Sequence, residues 1–268
     1  MKKVNRLLPI VTQKPTFQVL GMSIAAVQIP EVIAQMEEWI ADRERNHYIC
    51  VANVHVIMEG REDPSFREVL LSADLCVPDG MPLVWVGRHR GHVLPRRVWG
   101  PDLLIDFCRA TKDAGYTHFF LGGRPGVAIN LANELQRRFP GVGVAGICSP
   151  PYRDLAQQED DEITEQINRA APDVLWVGLG CPKQERWMCE HRDKLQVPVV
   201  IGVGQAFDIH SGEAPPAPVW MRENGLEWLF RLCREPRRLW RRYLIYNTKF
   251  IFALILESLY THSQNGEV

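Results

Sequence analysis

Short apolar runs alternate with longer helix-like stretches through most of this chain, and that alternation limits the fold more than any other feature. The runs cover residues 48–51, 75–77, 118–121, 142–147, 174–178 and 197–202, and the helix-like stretches cover 30–45, 64–73, 101–114, 126–139, 160–171 and 183–195. A strand made from one of these runs is apolar on both faces and needs a helix layer on each. Most runs are followed by Gly, Pro or Asn and then by a helix-like stretch. This is the pattern of an α/β, doubly wound sheet, whose functional loops gather at the carboxyl ends of the strands. With 46% hydrophobic and 24% charged residues among 268, the chain can bury a proper core, which excludes the disordered, collagen-like and fibrous classes.

The alternation stops at SGEAPPAP (211–218), so residues 1–212 read as one α/β domain and 213–268 as a helical, basic appendage. Between positions 231 and 249 the appendage carries Arg231, Arg234, Arg237, Arg238, Arg241, Arg242 and Lys249 against one acid, Glu235, while the net charge of the chain is only −1. Basic residues set among Trp, Leu and Tyr at helical spacing suit an anionic surface with a greasy side, such as a phospholipid headgroup layer or a lipid-linked phosphate. No run reaches the ~18 apolar residues of a membrane-crossing helix. The nearest, 243–260, is interrupted by Asn247, Lys249 and Glu257, and suits lying on a membrane, packing on a partner or pairing with a second copy. Interruptions by Gln, Lys and Pro argue against reading the basic N-terminus as a signal peptide. The seven cysteines (Cys50, Cys76, Cys108, Cys148, Cys181, Cys189 and Cys233) contain no CxxC pair and read as reduced, mostly core thiols.

Five places carry chemical content. In CVPDG (76–80) a run ends in a Pro-Asp-Gly turn, and Asp79 projects from the carboxyl edge of the sheet, where a partly desolvated carboxylate can take a proton from a hydroxyl; Asp-Gly is also ordinary turn chemistry. Asn53 follows a neighbouring run and shares that rim, and its amide can hold a sugar hydroxyl. Arg96 and Arg97 add a basic pair on the same edge. LGGRPGV (121–127), with Gly122, Gly123 and Gly126, allows backbone N–H groups to approach a phosphate at a helix start, or is simply a tight turn. VGLGCPKQE (177–185) repeats the theme with Gly178, Gly180 and Pro182. Lys183 stands there in a first helical turn, where an anionic ligand would favour it, and Gln184 and Glu185 offer hydrogen bonds to a base or sugar. IGVGQAFD (201–208) ends in Asp208, a substrate contact or a turn cap. These turns without a metal-ligand cluster suggest a ligand with phosphate groups. His89 and His92 are weak metal evidence, and there is no Asp-x-Asp to chelate a nucleotide-bound ion.

The ordered set ADLCVPDGMPLVW (73–85), RVWGPDLL (97–104), FFLGGRPGVA (119–128), PDVLWVGLGCPKQERWM (172–188) and GLEW…EPRR…RY (225–243) resembles the WecG/TagA/CpsF glycosyltransferases of bacterial surface-polysaccharide synthesis, over about residues 18–250. The resemblance implies a Rossmann-like fold of its own type (GT-E). It implies inverting, metal-independent transfer without a cofactor, from a UDP-sugar to a sugar on a polyprenyl (undecaprenyl) diphosphate carrier. It also implies a peripheral place on the cytoplasmic face of the inner membrane. By position, Asp79 is the implied general base, and Asn53 and Arg97 are implied substrate contacts. The glycine turns with Lys183, Gln184 and Glu185 are the implied donor site, and Arg231, Arg238 and Arg241 meet the carrier diphosphate. Some members have Thr two residues before the Asn. Val51 stands there in this chain, which favours glucose transfer in exopolysaccharide assembly over the alternative, transfer of N-acetylmannosamine or its uronic acid to lipid-linked N-acetylglucosamine.

A non-catalytic nucleotide-binding adaptor docked through its basic helix would bind UDP without transferring sugar. A nicotinamide-dependent oxidoreductase would need a GxGxxG fingerprint with an acid ~20 residues on, which is missing. Near-neutral charge and buried-type strands argue against nucleic acid.

Overall fold

A computed structural model of the chain describes residues 14–265, with side chains through 259. Residues 1–13, and with them most of the N-terminal stretch read above against a signal peptide, lie outside it. An antiparallel hairpin of β1 (Thr16–Val19) and β2 (Met22–Ala25) leads into α1 (Ile29–Asp42). Then follow β3 (His47–Ala52), α2 (Val54–Glu62), α3 (Pro64–Leu71), β4 (Leu75–Pro78), α4 (Met81–His89), α5 (Gly100–Thr111), β5 (Thr117–Gly122), α6 (Val127–Arg138) and β6 (Gly143–Cys148). The rest of the sheet region is α7 (Gln157–Ala170), β7 (Val174–Gly178), α8 (Lys183–Glu190), β8 (Val199–Gly202) and α9 (Ala206–His210). The chain ends in α10 (Val219–Glu223), α11 (Glu227–Arg234), α12 (Pro236–Trp240), a π-helical turn (Arg241–Ile245) and α13 (Tyr246–Asn265).

The six strands of the main sheet run in the order β4-β3-β8-β7-β5-β6, all parallel. Every strand therefore ends on one rim. Each face is covered as the doubly apolar runs require. One core layer joins the sheet to α2, α3, α4, α7 and α8 through side chains such as Tyr48, Phe66 and Phe119. The other joins it to α1, α5, α6 and α9 through Phe107, Phe120, Trp176 and Phe207. These large side chains are fully buried, and each contributes roughly 1.5–3 kcal/mol by leaving water. Only the edge strand β6 is half-exposed along its length.

The adjacent strands β5 and β7 send their following helices, α6 and α8, to opposite layers. Such a reversal opens a crevice at the carboxyl ends of the strands. The appendage lies over the same rim, anchored by the buried side chains of Leu239, Tyr243, Phe250 and Ala253. Tyr246 donates to Glu59 at 2.8 Å and Lys249 pairs with Glu62, fastening α13 to α2. Among the described residues no helix is long and apolar enough to cross a membrane.

Candidate active site

Asp79 follows β4 directly, and its N–H bonds to the Ala52 carbonyl at the end of β3, 2.8 Å away. That bond carries the strand pairing one residue past the sheet and lifts the side chain onto the rim. Asn53 stands beside it as the N-cap of α2. Its Oδ1 accepts from the N–H groups of His55 (3.0 Å) and Val56 (3.4 Å), which fixes the amide so that Nδ2 faces Asp79 Oδ2 at 3.4 Å. Asp79 is half-buried, and its Oδ1 is shielded from water with no hydrogen-bond partner. Burial pushes the carboxyl up to about 6, against the pull of Arg97 and with a push from Glu227. A carboxylate tuned to this range has the basicity that proton abstraction near neutral pH requires.

Arg97 lies between the rim and the appendage. Its Nη1 donates to the Asp79 carbonyl at 3.4 Å, its Nη2 pairs with Glu227 on α11, and its guanidinium lies over Trp99. Arg222 of α10 covers the same Trp99 ring at 4.4 Å and comes within 3.7 Å of Asp102. Residues before Gly100 and residues after Val219 are thereby tied into one wall.

The appendage arginines divide by environment. Arg231 and Arg242 are half-buried, each has a buried Nε with no hydrogen-bond partner, and neither forms an ion pair among the described residues. They are close enough to repel: burial lowers the Arg242 pKa, and Arg231 adds to the effect. His55, on the first turn of α2, faces both. Burial, then Arg242 and Arg231, push its imidazole down to about 3, so it stands neutral beside them, with its ring stacked on Tyr246. Two unpaired guanidiniums around a neutral imidazole can attract an anion with more than one charge. Of the three arginines that the family resemblance pointed to, Arg231 belongs to this cluster and Arg238 is near enough to repel Arg242. Arg238 is exposed and paired with Glu235, and Arg241 is exposed over Trp240. Arg242 stood in the basic stretch and Glu227 in the GLEW motif without a role assigned to either from the sequence.

Farther along the rim, Gly122 and Gly178 end the neighbouring strands β5 and β7. A Cβ on Gly122 would sit 2.6 Å from the Gly178 backbone, and one on Gly178 would sit 2.8 Å from the Phe207 ring, so this close approach requires glycine at both. Gly123 N–H donates to Gly178 O at 3.2 Å and locks the two turns together. Gly126 and Gly180 have positive φ and face open space. Helices α6 and α8 start here with no side-chain cap, at Gly126 and at Pro182 (whose peptide bond with Cys181 is cis); the Val127 N–H is taken by the Arg124 carbonyl and the Gln184 N–H by the Gly180 carbonyl, and the helix starts still turn their positive ends to an anion.

The remaining residues are placed less directly. Lys183 Nζ donates to the Arg153 carbonyl at 3.0 Å on the exposed side of the turn. Gln184 is buried and braces the loop: its Oε1 accepts from Gly180 N–H (3.2 Å) and its Nε2 donates to Glu185 Oε1 (2.8 Å). Glu185 is fully buried, its pKa raised by desolvation, with Oε2 unpartnered. Both side chains lie beneath the turn, not on its surface. Asp208 is half-buried on α9, and Arg124 reaches it at 3.9 Å across the mouth of the glycine turns.

Comparison with known proteins agrees with this architecture. Residues 17–264 match the family described as "Glycosyl transferase WecG/TagA/CpsF family". A Bacillus spizizenii protein named N-acetylglucosaminyldiphosphoundecaprenol N-acetyl-beta-D-mannosaminyltransferase is 30% identical over 81% of this chain and 82% of its own length. Proteins of the same name from Bacillus subtilis (29%, covering 79% and 80%) and Staphylococcus aureus (26%, covering 83% and 86%) are also similar. The match spans the parallel sheet, the rim with Asp79 and the appendage, and the chain belongs to the WecG/TagA/CpsF family of glycosyltransferases.

Proposed function

We propose that this protein is an inverting transferase that moves N-acetylmannosamine from its UDP-sugar onto N-acetylglucosamine carried on undecaprenyl diphosphate. The observation that carries the reading is Asp79: an unpartnered carboxylate oxygen on the rim, made basic by burial, with the unpaired Arg231 near it. The names of the relatives favour this sugar over the glucose suggested by Val51. Val51 is buried in the layer of α1 and α5, so the missing hydroxyl reflects core packing as much as sugar choice.

In the reaction Asp79 takes the proton of an acceptor hydroxyl as that oxygen attacks the anomeric carbon from the face opposite UDP. The bond from that carbon to the diphosphate oxygen breaks, and the negative charge leaves with UDP. Strand spacing divides the labour. Asp79 lies about 14 Å from the Gly180 turn and about 19 Å from the Gly123 turn, three and four strand spacings away. The scissile end of the donor therefore belongs near Asp79, with Arg97 and Arg231 as the nearby cations. The nucleoside end extends towards the uncapped starts of α6 and α8. Fixed donors aimed at charge that develops in the transition state are a large source of rate. Arg231 and Arg242, with neutral His55, take the acceptor's diphosphate. The exposed apolar side chains of α13, among them Ile251, Phe252, Ile255 and Leu259, support a peripheral place at a membrane.

The test is UDP release with a short-chain prenyl-diphosphate N-acetylglucosamine as acceptor. UDP-N-acetylmannosamine is expected to turn over well above UDP-glucose and UDP-N-acetylglucosamine. Preference for UDP-glucose would restore the glucose reading, and UDP binding without transfer from any donor would identify an adaptor.

A further inference from the structure

Glu227 reaches the rim from the appendage and takes Arg97 in an ion pair that is shielded from water, the two side chains being 15% and 12% exposed. The same guanidinium touches the backbone of Asp79, and Asp79 Oδ1 is an empty acceptor on that residue. Arginine and carboxylate form strong paired hydrogen bonds when both are free. Arg97 thus has two carboxylates within reach and is held by the one that does no chemistry.

We propose that Glu227 is a positioning residue: by holding Arg97 it keeps the guanidinium off the Asp79 carboxylate and leaves that carboxylate free to take a proton. The inference rests on Asp79 being the base. Four groups face Asp79: Arg97 from the loop before α5, Asn53 from the end of β3, and Glu227 and Arg231 from α11. Arg97, Asn53 and Arg231 favour the ionised form, and Glu227 opposes it. Removing the Glu227 charge both ends its repulsion of the Asp79 carboxylate and releases Arg97, so both consequences lower the basicity of Asp79.

The experiment follows the Asp79 carboxyl directly, by carbon NMR titration of the intact protein, with the signal assigned by its loss in Asp79→Asn. Glu227→Gln is expected to move the midpoint down by about one pH unit or more, the range for a carboxylate that gains an arginine. Glu227→Asp should stay near the wild type. Glu227→Gln combined with Arg97→Gln should bring the midpoint back up, which a merely structural role for Glu227 does not predict. A midpoint unmoved or raised in folded Glu227→Gln overturns the proposal. The pH profile of kcat/KM for transfer separates the two assignments. An acid limb that moves down with the carboxyl supports both. A limb that stays while the carboxyl moves overturns Asp79 as the base, and with it any positioning role for Glu227.

Discussion

At the scale of single residues, the site depends on how few partners Asp79 has. One oxygen meets a long contact from Asn53, the other meets nothing, and burial raises the carboxyl to about 6. The base must be ionised to act, so transfer should rise with pH through about 6 and level off above it, which a pH–rate profile of the wild type checks. Asn53→Asp keeps the helix cap but puts a second carboxylate beside the first. Like charge disfavours ionisation, so the acid limb should move to higher pH, opposite to the shift expected from Glu227→Gln. Asn53→Ala removes the cap, and a loss of about 1 kcal/mol in chemical denaturation is expected. The rim position of Asp79 was legible in PDG after an apolar run. Its vacancy and its appendage neighbour were not, because Glu227 stands 148 positions later and is held at the rim by its ion pair with Arg97.

At the scale of elements, the runs at 48–51, 75–77, 118–121, 142–147, 174–178 and 197–202 correspond to β3 through β8, since continuous apolar stretches bounded by Gly or Pro leave a buried strand few alternatives. The sequence reading gave no bounds for α4, the helix after the Pro-Asp-Gly turn, and did not include α2 or the β1–β2 hairpin, which are short. The appendage arginines differ in exposure for a geometric reason. A π-helical turn at Arg241–Ile245 interrupts the helical phase, and it sets Arg242 inward and Arg241 outward. The glycine turns are stricter than their sequence suggests. Gly122→Ala places a Cβ 2.6 Å from the Gly178 backbone at a φ of +125°, and a loss of about 1–3 kcal/mol together with weakened UDP binding is expected from denaturation and calorimetry.

At the scale of the whole molecule, one rim collects the carboxylate, the glycine turns and the basic appendage because every strand of the sheet is parallel. The strand order itself was beyond reach of the sequence, since neighbours such as β3 and β8 lie about 150 residues apart and no local pattern encodes which strands pair. The appendage adds a greasy outer face. Changing Ile251, Phe252 and Ile255 to Ser together should abolish sedimentation with anionic vesicles while turnover on a short-chain, detergent-soluble acceptor persists, because these side chains face outward. The most direct test of the account is sugar transfer by Asp79→Asn set beside its donor affinity. Turnover should fall by roughly 10²–10⁴-fold with UDP-sugar binding nearly unchanged. A folded Asp79→Asn protein that transfers sugar at the wild-type rate would contradict it.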